Sequence, residues 1–468
     1  MNMKGSGPVH LVKEFFTGGG ERSVKVKRHI VYSFLLKAAS ILITFLLVPL
    51  TLHYLGTARY GIWITLSSIL GWIGFFDIGL GNGLRNKFAE AMARSDHGLA
   101  RKYVSTTYGG MTAIFGAIML LFFLVNPFLN WAKILNTPPG MQQEVTILAT
   151  VVVVFFIMRF VTGLISVILT ADQRPALSGL LTFLGNLAAL AGVYIITKIT
   201  EGSLVYIGIA LSAAPVVVYI VASVWYFGRD YSFCRPSLKF FHRQYLKDLM
   251  SLGVQFFIIN IAVLVIFTTS NLIITQLFSP AEVTPYNIAY RYFSMITMGF
   301  EIILVPLWTA FTDAYVKKDI LWIKNTIRNL LFVWGGMIIL SFVMLAFAGI
   351  FYRFWVGPGV TIPFSMSALL AGYVILATWC NLWAYFINGT GKIRISLYIA
   401  VFQAIANIPL AIFLARNAHL GPQGVVLATM IVMLAGAILS PIQSIKIIEG
   451  KDSGLWGRKM ARGIFAIA

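Results

Sequence analysis

Runs such as 111–125 and 145–170 are apolar almost throughout, and similar stretches recur along the whole chain. A helix rises 1.5 Å per residue, so about 20 apolar residues cross the ~30 Å hydrocarbon core of a bilayer. A membrane β-barrel would instead alternate apolar and polar residues. Of 468 residues, 59% are hydrophobic and 11% charged, whereas soluble domains carry about a quarter charged. The mean hydropathy of +0.84 agrees. Twelve helices of about 22 residues would take ~264 residues, close to the hydrophobic share. The expected fold class is an all-α polytopic membrane protein with about twelve transmembrane helices.

Windows of about 19 residues place spans near 30–54, 60–84, 104–129, 145–170, 177–199 and 204–227. A second set falls near 249–277, 285–311, 329–354, 365–388, 397–415 and 422–445. This divides the chain into an N-terminal tail, 1–29, and an N-terminal lobe, 30–227. A basic loop, 228–248, then leads to a C-terminal lobe, 249–446, and a C-terminal tail, 447–468. Of the 36 Lys and Arg residues, 28 fall in the tails and alternate loops, five in the opposite loops and three inside spans. Cytoplasmic loops carry the excess of Lys and Arg, so both termini are expected in the cytoplasm of a multi-pass inner-membrane protein. The polar first 29 residues, followed by a long apolar run, do not read as a cleavable signal peptide.

The net charge of +20 does not point to nucleic acid, because the basic residues sit in short loops between spans. Cys234 and Cys380 give no disulfide framework. The six histidines are scattered, so no metal site is expected. Gly389-Thr390-Gly391-Lys392 mimics part of a phosphate-binding loop. It fails because Phe386 holds the first glycine position and Ile393 replaces Ser or Thr. No enzyme chemistry, ATP drive or cofactor is expected.

The informative residues are charges within apolar spans. Each cation there costs about 2.5–3.5 kcal/mol, so Lys37, Arg159 and Arg291 together cost roughly 8–10 kcal/mol before pairing. Arg159 lies near the middle of span 4, too deep to snorkel readily, and Arg291 lies about a third into span 8. Both fit a wet cavity that touches substrate, or a structural ion pair. Lys37 in span 1 and Asp77 in span 2 fall at similar depth and could pair, while Lys37 could also snorkel or meet substrate. Glu301 is placed like Asp77 but without a cation counterpart. Asp77 and Glu301 are therefore the candidate coupling or gating groups, with a proton or sodium ion as the coupled ion.

The halves carry a weak repeat. Tyr60 matches Tyr286, Phe76-Asp77 matches Phe300-Glu301, Phe88-Ala-Glu-Ala matches Phe311-Thr-Asp-Ala, and Gly110-Met111 matches Gly336-Met337. Six spans per copy imply a pseudo-two-fold axis along the membrane normal. Gly79 and Gly83 form a small-xxx-small pair suited to close helix packing. Pro49, Pro215, Pro306 and Pro409 are candidate bending points. Trp72, Tyr290, Trp308 and Trp379 are candidates for stacking on sugar rings. Segments 85–103 and 312–328 read as amphipathic surface helices.

The stretch Tyr54-Leu-Gly-Thr-Ala-Arg-Tyr60-Gly-Ile-Trp63, followed by Phe76-Asp77-Ile-Gly-Leu-Gly-Asn-Gly-Leu-Arg85-Asn86, resembles the Wzx-type polysaccharide repeat-unit flippases. These belong to the multidrug/oligosaccharidyl-lipid/polysaccharide exporter superfamily. Ala171-Asp172-Gln173-Arg174, Ile387-Asn388-Gly389-Thr390-Gly391-Lys392 and Gly421-Pro-Gln-Gly424 are similar to that family as well. The resemblance implies a V-shaped transporter of two six-helix lobes around a cationic cavity. The implied substrate is a polyprenyl-diphosphate-linked oligosaccharide, exported for O-antigen or exopolysaccharide assembly beside a polysaccharide polymerase and other glycan-assembly proteins. By type and depth, the family's cavity cations map onto Lys37, Arg159 and Arg291. Rival readings are a cation-coupled multidrug exporter, a peptidoglycan-precursor flippase and a non-transporting scaffold of a glycan-synthesis complex.

Overall fold

The computed structural model describes residues 21–73, 80–172, 174–250, 269–392 and 394–451, and every extended element among them is helical. Ten stretches among the described residues are long and apolar enough to cross a membrane. The first helix, α1 (Glu21–Ile73), is broken at Gly56, whose φ of 73° is open to glycine but not to most side chains. That break falls where the sequence puts the turn between spans 1 and 2. There follow α2 (Leu80–Ala93), α3 (His97–Val125), α4 (Gln142–Thr162), α5 (Leu164–Ala171), α6 (Pro175–Ile199), α7 (Leu204–Gly228) and the short α8 (Arg243–Met250). Most of span 7 lies outside the described residues, which resume with a helical stretch at 269–277. The chain ends in α9 (Pro280–Val316), α10 (Ile320–Val356), α11 (Phe364–Thr390), α12 (Arg394–Ile412) and α13 (Pro422–Ile448). Pro215 and Pro409 are accommodated inside α7 and α12, and a π-helical turn over Phe413–Asn417 follows the second.

Leu120, Leu121, Leu124, Phe332, Ile339 and Phe342 are each 60% or more exposed, apart from the closely similar side chains around them. In water such surfaces aggregate; in hydrocarbon they are the required solvent contact, since each helix satisfies its own backbone. The chain is a multi-pass membrane protein.

Contacts divide it into two units. Unit 1 comprises residues 1–54, 73–131 and 142–257; unit 2 comprises 55–72, 132–141 and 258–468. In unit 1, α7 packs on α6 and α4. Gly83 lies so near Leu249 that an added Cβ would fall 2.2 Å from its carbonyl oxygen, the close packing expected of that glycine. Its partner in the pair, Gly79, lies outside the described residues. In unit 2, α9 packs along α11 around Phe300, Leu304, Phe311, Leu382 and Phe386, all fully buried. Segment 55–72 is fixed in this unit by polar contacts. Thr65 and Thr275 hydroxyls lie 2.6 Å apart, Asn271 donates to Ser68 Oγ at 2.8 Å and Thr284 to the Thr57 carbonyl at 2.7 Å.

The two segments expected as surface helices are helix–turn–helix junctions instead. α2 turns at Ser95 (φ 56°) into α3, and α9 turns at Lys318 (φ 58°) into α10. In the first, Asp96 N–H donates to the Ala91 carbonyl at 3.0 Å, and Asp96 Oδ1 caps Leu99 N–H at 2.8 Å. In the second, Asp319 N–H donates to the Ala314 carbonyl at 2.9 Å, and Asp319 Oδ1 caps Trp322 N–H at 3.0 Å. Each is a left-handed helix stop followed at once by an aspartate N-cap. Phe88 and Phe311, paired in the sequence repeat, are both fully buried just before their turns. The two junctions thus have the same local geometry. The Gly110/Gly336 pair is not alike in packing: Gly110 is pressed by Leu246, and Gly336 has nothing within 4 Å.

Candidate functional site

Arg159 sits on α4, twelve residues or about 18 Å of helix before the end of the α4–α5 stretch. Its helix breaks immediately afterwards. Gly163 N–H donates to the Arg159 carbonyl at 2.8 Å, and α5 restarts at Leu164. The Arg159 side chain is exposed and lines a cavity of about 340 Å³ in unit 1. Met111, Phe156, Phe160, Gly163 and Tyr219 are among its neighbours there. No hydrogen bond or ion pair to the guanidinium exists among the described residues. The structural-pair reading of Arg159 therefore finds no partner among the described residues.

Arg291 sits on α9, in unit 2. Its Nε donates to Asn287 Oδ1 at 3.0 Å, one turn earlier, and its charge reaches the buried Tyr60. This orients the guanidinium and leaves its Nη edge unused by any carboxylate among the described residues. Glu301 lies ten residues further along α9, about 15 Å of helix rise, and forms no ion pair with Arg291 among the described residues. The Glu301 charge instead reaches Tyr290 and Tyr385. Lys37 is exposed on α1. Asp77, and with it the expected Lys37–Asp77 pair, lies outside the described residues, as does Trp72's side chain. Arg159 and Arg291 belong to different units, whereas Arg291 and Glu301 share one helix.

The other aromatic candidates divide. Trp379 donates to the Ala437 carbonyl at 2.9 Å and packs against Trp334 at 4.7 Å, so it is a structural residue. Tyr290 stacks on Tyr286 and meets Tyr373 at a tilt of 47°, 6.0 Å from each, beside a void of about 10 Å³. That holds about one water, not a sugar. Trp308 remains partly exposed, edge-on to Tyr385 at 5.7 Å. Sequence reasoning missed Asn287, although its spacing of four before Arg291 on one helix is a readable signal. It also missed Tyr219, which reaches Arg159's cavity from another helix and leaves no local trace.

The signature segments turn out to be joints. Tyr54 OH lies 2.7 Å from Thr200 Oγ1 and accepts Ser203 N–H at 3.1 Å, pinning α1 to the α6–α7 connection. A Cβ on Gly61 would fall 1.7 Å from the Pro280 carbonyl oxygen. Asp172 accepts from Tyr231 OH at 2.7 Å and pairs with Arg174 at 3.1 Å. Gly389 admits Phe311 and Trp308 against α11, and Gly391 ends that helix with a φ of 72°.

Residues 26–309 match the family model described as polysaccharide biosynthesis protein. The chain belongs to this family. A Yersinia pseudotuberculosis protein named for O-antigen export is 22% identical over 379 residues, covering 79% of this chain and 84% of its own length. A Salmonella typhi protein named as an O-antigen transporter is 21% identical, over 82% of this chain and 88% of its own. Among solved structures, the inward-facing form of a multidrug resistance MATE family transporter of the MOP superfamily aligns with a TM-score of 0.70. It does so at 15% identity, over 90% of this chain and 96% of that one. At that identity the likeness establishes the fold alone.

Proposed function

We propose that the chain is a flippase of the cytoplasmic membrane, with both termini in the cytoplasm. It carries polyprenyl-diphosphate-linked oligosaccharide repeat units to the outer leaflet by alternating access, for surface polysaccharide assembly. The observation that carries this reading is Arg159: a cation at mid-span, facing a cavity, with no counter-charge among the described residues. A diphosphate carries about two negative charges and suits the planar donor edge of arginine. Arg291, oriented by Asn287, is the second diphosphate ligand, and Lys37 assists from the cytoplasmic side. Asp77 and Glu301 respond to a proton or sodium ion as the lobes exchange access. The chain transports and does not catalyse; a polymerase consumes what it delivers.

A multidrug exporter of the same fold moves cationic drugs and is better served by an acidic cavity, which the bare guanidinium opposes. The test is reconstitution in liposomes containing a polyprenyl-diphosphate oligosaccharide, with leaflet exposure as the readout. Protein-dependent flipping, lost in Arg159→Ala at unchanged abundance, is the expected result. Loss of abundance to the same degree would make Arg159 structural, and absence of flipping by folded protein would favour the scaffold reading.

A further inference from the structure

The connection between α7 and α8 carries an exposed leucine among exposed cations. Leu238 is 87% exposed. Arg235, Lys239 and Arg243 around it are exposed as well, and they form no ion pair among the described residues. Stretch 229–248 holds two acids, Asp230 and Asp248. Asp230 is paired with Arg174 at 3.3 Å, and the charge of Asp248 reaches Lys87. The leucine and the three cations are thus an unused surface of unit 1.

The tip is pinned on both sides. Ser105 Oγ accepts Ser237 N–H at 3.1 Å and Thr106 Oγ1 accepts His242 N–H at 3.2 Å, flanking a short turn over Leu238–Phe240. The Arg101 guanidinium lies 4.1 Å over the Phe240 ring, and a Cβ on Gly109 would fall 2.7 Å from the Phe241 ring. Phe240 and Phe241 are thus engaged by α3, and Leu238 is left out. The pins also fix its depth. Ser105 and Thr106 stand at the polar end of the apolar run 104–129, with Gly109 about 6 Å further along the helix. Leu238 is therefore level with the boundary between headgroups and hydrocarbon. At the end of α7, Arg229 lies 3.8 Å over the ring of Trp225, itself 55% exposed, a pairing that suits an interface. One exposed leucine means little in a soluble protein; at this depth it meets acyl chains, and long basic side chains reach the phosphates beside it.

We propose that this tip is a docking site for anionic phospholipid in the leaflet on the basic side of the membrane. Leu238 enters the acyl-chain region, and Arg235, Lys239 and Arg243 hold the headgroup phosphates. Each basic residue near an anionic surface is worth about a fivefold change in binding. Three together favour anionic over zwitterionic lipid by up to about a hundredfold. An acidic soluble protein would complement the same charges, but it could not cover a leucine that lies within the headgroup layer.

The experiment uses the full chain in nanodiscs, with a nitrobenzoxadiazole label on Leu238→Cys in a Cys234→Ala, Cys380→Ala background. Brominated phosphatidylglycerol, dilute in phosphatidylcholine, is compared as a quencher with brominated phosphatidylcholine at the same mole fraction. The anionic lipid should quench about fivefold more strongly or better. Arg235→Gln, Lys239→Gln and Arg243→Gln together should bring that ratio close to one. Salt of about 1 M, where the Debye length is ~3 Å, should shift it the same way. Arg235 is pinned through its backbone carbonyl, so these changes leave the anchorage in place, and thermal unfolding establishes that the variant is folded. Glycerol phosphate in solution should leave the quenching unchanged; displacement by it would overturn the lipid assignment and give the cations to a soluble phosphate. Equal quenching by both lipids, or an unchanged ratio in the folded triple variant, would overturn the anionic site. Quenching by neither would overturn docking altogether and leave the surface to a soluble acidic partner. Lipid contact is read without transport, so failure of this site and failure of the flippase reading are distinct results.

Discussion

Arg291 shows how one neutral neighbour decides what a charged side chain can do. Its Nε is committed to Asn287, so the guanidinium presents its remaining edge in a fixed orientation. Asn287→Ala keeps the charge and releases the orientation. Flipping at low substrate density should fall about fivefold, the equivalent of ~1 kcal/mol for one hydrogen bond, with a smaller change at saturation. Flipping rate measured against substrate density in liposomes checks this split. Glycines give a second contrast. A Cβ on Gly61 would collide with the Pro280 carbonyl, and one on Gly116 would meet nothing within 4 Å. Gly61→Ala should destabilise by about 1–3 kcal/mol, as overpacking does. Gly116→Ala in α3 should be neutral or gain up to ~1 kcal/mol from helix propensity. Thermal unfolding in one detergent compares them directly.

Among elements, the connection after α7 is held to unit 1 along its length. Tyr231 donates to Asp172 at 2.7 Å, Arg101 Nε to the Arg235 carbonyl at 3.3 Å, and Ser105 and Thr106 hydroxyls accept Ser237 and His242 N–H at 3.1 and 3.2 Å. Cys234 is fully buried beneath it, and its thiol donates to the Tyr231 carbonyl at 3.5 Å. Burial pushes that thiol from 9.0 up to about 12. A raised acid favours the protonated form in the folded chain, so this anchorage is complete below about pH 9 and is lost as pH rises towards 12. In a Cys380→Ala background, Cys234 should resist maleimide at pH 7.5. It should label faster in Tyr231→Phe and progressively faster above pH 9, as mass spectrometry would record. This connection reads in the sequence only as a basic loop, because its anchors pair with residues 59 to 136 positions away. By contrast, the Asp96 and Asp319 caps and the Asn287–Arg291 pair are local, and local spacing is what a sequence displays. The mid-span cations were legible for the same reason, since a charge in an apolar run stands out wherever it points. The aromatic cavity around Arg159 was not, because Tyr219 and Phe115 arrive from other helices. Reading 85–103 and 312–328 as amphipathic helices failed where single left-handed residues, Ser95 and Lys318, turn the chain with no glycine to mark it.

For the whole molecule on the proposed orientation, with the basic loops in the cytoplasm, the membrane potential acts along the direction of export. With that side in the cytoplasm and the cytoplasm negative, moving about two negative charges outward gains ~4.6 kcal/mol per 100 mV. That is roughly a 2,000-fold bias of the leaflet ratio at equilibrium. On the proposed mechanism Arg159 and Arg291 stay fixed to the protein and return empty, so they do not cancel the charge carried. Liposomes clamped at a series of potentials should therefore show the logarithm of the leaflet ratio rising with a two-charge slope and no need for a proton or sodium gradient. A one-charge slope, ~2.3 kcal/mol per 100 mV, would mean that a cation travels with the substrate. Glu301 is then the carboxylate to test, since it lies on Arg291's helix and forms no ion pair with it among the described residues. Glu301→Gln would restore the two-charge slope if Glu301 carries that cation, and would leave the one-charge slope in place if another group does.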